Sequence, residues 1–242
     1  MTQMAEFEPR VLGRTSGHTA ARADIDEGLR AYMMRVYNYM AIGLGITGVV
    51  AYFAATSGLY AAIAQTPLIW VVMLAPLGMV FLLSARLHKM STSGAQIAFW
   101  AFSALMGLSL SYVFLAYTGT SITRVFLVTA ASFGALSLYG YTTGKDLSGW
   151  GSFLFMGLIG IILASIVNIF LASSAMQFAI SVIGVLVFAG LTAYDTQQIK
   201  QMYFEGDSSV VAGRKAIMGA LRLYLDFINL FIMLLSLFGN RE

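Results

Sequence analysis

Residues 217–238 read IMGALRLYLDFINLFIMLLSLF, and this stretch decides the class of the fold. It is long enough to cross a bilayer as one helix, because a hydrocarbon core of about 30 Å takes about 20 mainly apolar residues. It nevertheless carries Arg222 and Asp226, whose charges are costly to place in hydrocarbon. The stretch therefore predicts a membrane helix whose charged side chains face other helices or a water-filled cavity.

The same length criterion finds six further apolar segments along the chain. The seven predicted spans are residues 33–56, 67–84, 97–117, 122–139, 153–171, 176–194 and 217–238. Helices are favoured over barrel strands because each run is apolar throughout, whereas a barrel strand alternates apolar and polar residues. We predict an all-α integral membrane protein, a bundle of seven transmembrane helices.

Composition supports this class and excludes others. Hydrophobic residues make up 59% of the chain and charged residues only 10%, whereas a soluble domain carries about 25% charged residues. The net charge of +3 is modest and its Lys and Arg residues are not gathered in one patch, so we expect no nucleic-acid partner. The chain has no Cys, and its two histidines lie in polar segments, so we expect neither a cofactor nor a histidine metal site.

The distribution of Lys and Arg predicts the orientation in the membrane. Positive residues precede the first span and follow the second, fourth and sixth spans, which places all four groups on one side. Positive loops tend to stay in the cytoplasm. We therefore expect a cytoplasmic N-terminus and a C-terminus outside. Residues 1–30 are predicted to be a mobile cytoplasmic tail, or at most an interfacial helix, and residues 31–242 the transmembrane domain.

The polar residues of the last span share one helical face. Their spacings of three, four, three and seven residues align Gly219, Arg222, Asp226, Asn229 and Ser236. A polar stripe on an apolar helix predicts that this face looks into the bundle or a cavity, so the last helix should be central. Arg222 lies one turn closer to the cytoplasm and can extend towards the interface, which leaves Asp226 one or two turns inside the membrane.

Asp195, in the sequence GLTAYDTQ of residues 190–197, approaches the same side of the membrane near the end of the sixth span. Contact between Asp195 and Asp226 is a hypothesis at this point. Two carboxylates in a poorly solvated site cannot both ionise cheaply, so a pair in contact would share a proton and act as a pH-sensitive latch. Its oxygens would also attract a cation, and two carboxylates with few other donors would hold calcium only transiently.

A simpler interpretation is that Asp226 pairs with Arg222 four residues away, and that Asp195 caps its helix or is solvated. Arg86, at the cytoplasmic end of the second span, can likewise be explained as a positive anchor at the membrane surface.

Four segments resemble the Bax inhibitor-1 family, also called TMBIM, in its bacterial branch. They are SARLHKMS at 84–91, LYGYTTGKDLS at 138–148, AYDTQQI at 193–199 and LYLDFINLF at 223–231. The resemblance implies a seven-helix fold with the last helix surrounded by the other six, in the bacterial inner membrane. It also implies a pH-sensitive calcium leak, with Asp195 and Asp226 as the latch and Arg86 as its partner in gating. The connection at 200–216 is longer than the family pattern, which leaves the distance between the two aspartates open.

Two functions compete at this stage. The favoured one is a passive calcium pathway closed by the aspartate pair, and the alternative is a non-transporting regulator that binds a membrane protease or another membrane protein. We do not expect an enzyme. An intramembrane aspartyl protease needs a glycine-containing signature that Leu225-Asp226-Phe227 lacks, and a retinal protein needs a lysine that residues 217–238 lack.

Overall fold

The computed structural model describes residues 15–241, and the side chains of residues 27–241. Within that range the chain is almost entirely helical. The helices are α1 (Thr15–Thr56), α2 (Leu59–Ala64), α3 (Leu68–Arg86), α4 (Thr92–Ser109), α5 (Val113–Ala116), α6 (Gly119–Thr142), α7 (Ser148–Leu171), α8 (Ser174–Gln201) and α9 (Ser209–Phe238). Single 3-10 turns follow α3 and α4.

Seven segments of the described chain are long and apolar enough to cross a membrane. They are Glu27–Thr56, Leu68–Lys89, Thr92–Ala116, Gly119–Thr142, Ser148–Leu171, Ser174–Gln201 and Ser209–Phe238. Each contains or overlaps one predicted span, so the predicted seven-helix architecture is confirmed. The third span is not one continuous helix, because a 3-10 turn at Leu110–Tyr112 separates α4 from α5.

The helices extend beyond the apolar cores that hydropathy identifies. Helix α8 continues to Gln201, and α9 begins at Ser209, where the Ser208 hydroxyl accepts a hydrogen bond from the Val211 amide at 3.4 Å. The 200–216 connection is therefore mostly helix, with a short turn at 202–208 that Lys215 closes by pairing with Asp207. This turn brings the ends of α8 and α9 together.

The predicted N-terminal tail, residues 1–30, lies partly outside the described residues. From Thr15 onward the chain belongs to α1, and the membrane-spanning part of that helix begins at Glu27. The mobility and the cytoplasmic position of the tail stay predictions.

Helix α9 occupies the centre of the bundle. In its most apolar stretch 56% of the residues are buried, against 11% for α3 and for α7. Its main neighbours are α1, α4, α6 and α8, while α3 packs mainly on α4 and α7 mainly on α8. The last helix is thus central, as predicted, but four helices rather than six form most of its surroundings.

Small residues and one tyrosine hydroxyl fix the packing of α1, α4 and α9. A side chain on Gly107 would come within 2.6 Å of the Thr47 backbone oxygen, so α4 can approach α1 this closely only with glycine there. The Thr47 hydroxyl donates to the backbone oxygens of Gly43 and Ser103, both at 2.9 Å. Tyr224 of α9 is fully buried and donates to Thr47 at 2.6 Å, which satisfies its hydroxyl in the core.

Candidate functional site

The structure brings Asp195 of α8 and Asp226 of α9 together. Their side chains are direct neighbours, close enough for a hydrogen bond between the carboxyl groups when one of them carries a proton. Asp226 is only 5% exposed, and its Oδ2 has no hydrogen-bond donor among the described residues. A buried carboxyl oxygen without a donor is costly, and a proton held between the two groups would satisfy it.

Arg222 pairs with Asp195 across the interface between α8 and α9. Its Nη1 lies 3.9 Å from Asp195 Oδ1, at the upper limit for an ion pair. The Arg222 side chain is 45% exposed, whereas the Asp195 side chain is 16% exposed. The simpler interpretation from sequence had Arg222 paired with Asp226 along its own helix, but the observed ion pair is with the other carboxylate.

A cavity of about 680 Å³ opens beside the aspartate pair, between α7, α8 and α9. Arg222, Asp226 and Asn229 line it from α9, and Asp195 and Tyr194 line it from α8. The apolar side chains that line it include Phe155, Leu158, Phe188, Leu191 and Leu225. The titratable groups that face the pair are Arg222 and Tyr194, so one positive charge accompanies two carboxyl groups.

The predicted polar face of α9 looks into this cavity only in its middle part. Asn229 lines the cavity and donates from Nδ2 to the Leu225 backbone oxygen at 2.8 Å. Gly219 packs against Ile199 and Val36 instead, and Ser236 accepts a hydrogen bond from Ser181 of α8 at 3.0 Å. The residues that share this face by spacing therefore lie in different environments along the helix.

Arg86 lies apart from this pair in the described conformation. It is exposed at the end of α3, and no ion pair joins it to Asp195 or Asp226. Its part in gating stays a prediction, since a gating partner needs to reach the latch only in some conformations.

Gln197, which the sequence did not single out, ties the α6–α7 connection to α8. Its Oε1 accepts from the Leu147 amide and its Nε2 donates to the Lys145 backbone oxygen, both at 2.8 Å. Lys200 also donates to the Tyr141 backbone oxygen at 2.8 Å. These contacts hold the connection against the helix that carries Asp195, two residues before Gln197.

The donor set limits what the site can bind. Among the residues that the structure describes, no group of three Asp, Glu, His or Cys side chains could hold a metal ion. Calcium prefers about six to eight oxygen ligands. Asp195 and Asp226 with the Asn229 amide supply too few for a tight site, so this arrangement suits a shared proton or a brief cation contact.

Comparison with known proteins agrees with this architecture. Residues 29–242 match the family described as "Inhibitor of apoptosis-promoting Bax1". The chain is 50% identical to the inner membrane protein YbhL of Escherichia coli, over 89% of this chain and 94% of that one. It is 48% identical to an uncharacterized protein of Rickettsia prowazekii, over 95% and 98% of the two chains. An uncharacterized membrane protein of Streptococcus pyogenes is 38% identical over 90% and 96%.

The family match spans residues 29–242, so it includes both aspartates and all of the seven membrane spans except the first two residues of the first one. The name of the Escherichia coli relative and the seven apolar helices together support a multi-pass protein of the inner membrane. The chain belongs to the Bax inhibitor-1 family.

Proposed function

We propose that this protein is a pH-sensitive calcium leak channel, gated by a latch that Asp195 and Asp226 form between α8 and α9. The observation that carries the proposal is the buried Asp226 Oδ2, which has no donor within the described part of the chain and lies beside a second carboxyl group at the edge of a cavity. A fold that needed only stability would gain from apolar side chains at this position, because unsatisfied buried acids are costly.

The latch works through one proton. When Asp195 and Asp226 share it, a charge-assisted hydrogen bond joins the two helices. Loss of the proton leaves two negative charges in contact, with only Arg222 to offset them, and repulsion favours separation of α8 from α9. Raising the pH should therefore open the pathway, and lowering it to the singly protonated state should close it.

Calcium is the proposed permeating ion. It would pass through the protein and would not stay bound as a structural metal. The open latch would offer it two carboxylates and the Asn229 amide oxygen, with water for its other positions. Such weak coordination favours passage, because an ion must leave a conduction site as readily as it enters. Arg86 would reach the freed carboxylates from α3 when the latch is open.

Purified protein in liposomes loaded with a calcium-sensitive dye tests the proposal. Wild-type protein should pass calcium at a rate that rises with pH. Asp226→Asn should remove that pH dependence and keep flux low, since an amide donates to Asp195 whatever the pH. Flux indistinguishable from protein-free vesicles at every pH would refute the channel.

Asp146→Asn supplies a matched control for the loss of an acidic side chain. Asp146 is exposed in the α6–α7 connection, and a hydrogen bond from the Ser148 amide to its Oδ1 at 2.9 Å lowers the pKa of Asp146. Its carboxylate therefore stays ionised at and above mildly acidic pH. Its replacement should leave the pH dependence of flux unchanged.

The proposed orientation has the N-terminus in the cytoplasm and the C-terminus outside. An odd number of spans puts the two termini on opposite sides. Asn240 lies by the α5–α6 connection, where the Thr118 amide donates to the Asn240 backbone oxygen at 3.1 Å. Reporter enzymes fused to either terminus test this orientation. Reporter activity in the compartment opposite to the expected one would show that the protein is inserted the other way round.

The rival proposal is a regulator that binds a membrane protease or another membrane protein without transporting ions. Its support is the α6–α7 connection, which Gln197 holds rigidly against α8 and which could present a fixed cytoplasmic surface. The liposome experiment separates the two functions, because a regulator predicts no flux in the purified protein.

A further inference from the structure

Helices α8 and α9 meet along two matching lines of residues, which we call the seam. The side chains on each line recur at intervals of three and four residues, the spacing at which antiparallel helices keep one face in contact. On α8 the line is Gln177, Ser181, Gly184, Phe188, Leu191 and Asp195. On α9 it is Ser236, Met233, Asn229, Asp226 and Arg222. The seam continues the aspartate site across the bundle.

The end of the seam far from the aspartates is polar. Ser181 donates to Ser236 at 3.0 Å, and the Gln177 Nε2 lies 3.4 Å from the same hydroxyl. Asn168 of α7 donates to Gln177 Oε1 at 3.3 Å. Gln177, Ser236 and Asn168 line a second cavity of about 410 Å³, together with Arg241 near the chain end. Each end of the seam thus borders a cavity that polar side chains help to line.

The apolar side chain of Met233 lies at the middle of the seam. Met233 of α9 lies on Gly184 of α8, where an added Cβ would come within 2.8 Å of the Met233 sulfur. The nearest polar residues on either side of Met233 in the α9 line are Asn229 and Ser236. They are seven positions apart, or about 10 Å along the helix axis. Only the apolar Met233 occupies the α9 line between them.

We propose that Met233, seated on Gly184, is the seal of the ion pathway, which runs along the seam from the aspartate cavity to the polar cavity at Ser236. The proposal rests on the proposed function and adds the route and the closing residue. An apolar constriction stops ions by excluding water. Methionine suits such a seal, because its unbranched side chain can fill the space over a glycine and move aside when the helices separate.

Cysteine labelling tests the seal without measuring calcium. The chain has no native cysteine, so single variants can be labelled cleanly with a water-soluble thiol reagent that does not cross membranes. Asn229→Cys should react only from the side of the aspartate cavity and Ser236→Cys only from the opposite side. In the double variant Asn229→Cys with Met233→Ser, the cysteine should react with the reagent from both sides of the membrane. Met156→Cys, on the exposed face of α7, should react from neither.

Calcium flux gives a second, independent test of the seal. Met233→Ser should raise the flux several-fold at the pH that closes the wild-type protein, since the seam then carries hydroxyl groups past the constriction. Met233→Leu keeps an apolar side chain of similar volume and should keep the flux low at that pH, whereas Met156→Ser should behave like wild type.

The outcomes separate the seal from the proposed function. If labelling is side-specific as described and Met233→Ser abolishes that specificity, the seal is supported even where calcium flux is absent. Labelling of Asn229→Cys and Ser236→Cys from the same side overturns the seam as the route. If the flux depends on pH and Met233→Ser leaves it unchanged, Met233 is not the seal. The proposed aspartate latch would stand in that case.

Discussion

Arg222 pairs with Asp195 on the neighbouring helix, at 3.9 Å, and not with Asp226 one turn along its own helix. One cation thus offsets one carboxylate, and no side chain or backbone group of residues 27–241 donates to Oδ2 of the more deeply buried carboxyl group. In the proposed latch, a proton held between the two acids, rather than the arginine, completes the site.

Arg222→Gln should move the pH dependence of calcium flux without removing it. The positive charge opposes protonation of the pair, so its loss should let the pair hold its proton to higher pH. The midpoint of flux should therefore shift upward in pH. The half-exposed ion pair contributes little stability, roughly 0.2–1 kcal/mol, so the thermal midpoint in detergent should change little. A downward shift of the flux midpoint would contradict this role.

Gly140→Ala should destabilise the protein through the contact between α6 and α8. An added Cβ would overlap the Ala193 backbone oxygen, and backbone atoms cannot move aside as a flexible side chain can. Overpacking of this kind costs about 1–3 kcal/mol, measurable as a lower thermal midpoint in detergent. Gly134→Ala on the same helix is the matched control, because no atom lies within 4 Å of its added Cβ. Equal stability of the two variants would contradict the close approach.

Tyr224→Phe should lower stability by about 0.5–1.5 kcal/mol, the usual value of one hydrogen bond. The ring would still pack against Phe99 and Phe102, whose centroids lie 5.9 and 5.3 Å away, and only the bond to Thr47 would be lost. Tyr139→Phe, at a position 48% exposed, should be neutral in the same thermal unfolding assay. A Tyr224→Phe protein as stable as wild type would show that the hydroxyl contact contributes nothing.

Gln197→Ala should release the α6–α7 connection from α8. Two hydrogen bonds of 2.8 Å are lost, so the amide of Leu147 should exchange its hydrogen faster in native-state exchange measurements. Gln198→Ala provides the control, because Gln198 makes only an exposed contact of 3.3 Å with Ser148. Unchanged exchange at Leu147 would mean that other contacts hold the connection.

The seven spans could be predicted from the sequence because bilayer thickness imposes a length on every apolar segment. The ends of the helices could not be predicted in this way. Helix α9 begins at Ser209 and not at Ile217, because hydropathy marks the part in hydrocarbon while capping residues such as Ser208 mark the end of the helix. The break at Leu110–Tyr112 was also not predicted, because hydropathy measures the length of an apolar segment and not whether its helix is continuous.

Part of the site could also be predicted. The cost of charge in hydrocarbon singled out Asp195, Arg222 and Asp226, and their spacing gave the direction of the polar face. The partner of Arg222 depended on how α8 and α9 meet, which spacing within one helix does not determine. Met233 and Gly184 were missed because they carry no charge. The matching intervals on α8, from Gln177 to Asp195, are the signal that could have found them.

Infrared difference spectroscopy of the protein in lipid tests the central claim most directly, because a protonated carboxyl group absorbs apart from carboxylate. A band from a protonated, hydrogen-bonded carboxyl should persist at neutral pH in wild-type protein. It should disappear in Asp226→Asn and in Asp195→Asn, and remain in Asp146→Asn. If no such band is present at neutral pH, or if it survives both substitutions, the two aspartates do not share a proton and the latch is refuted.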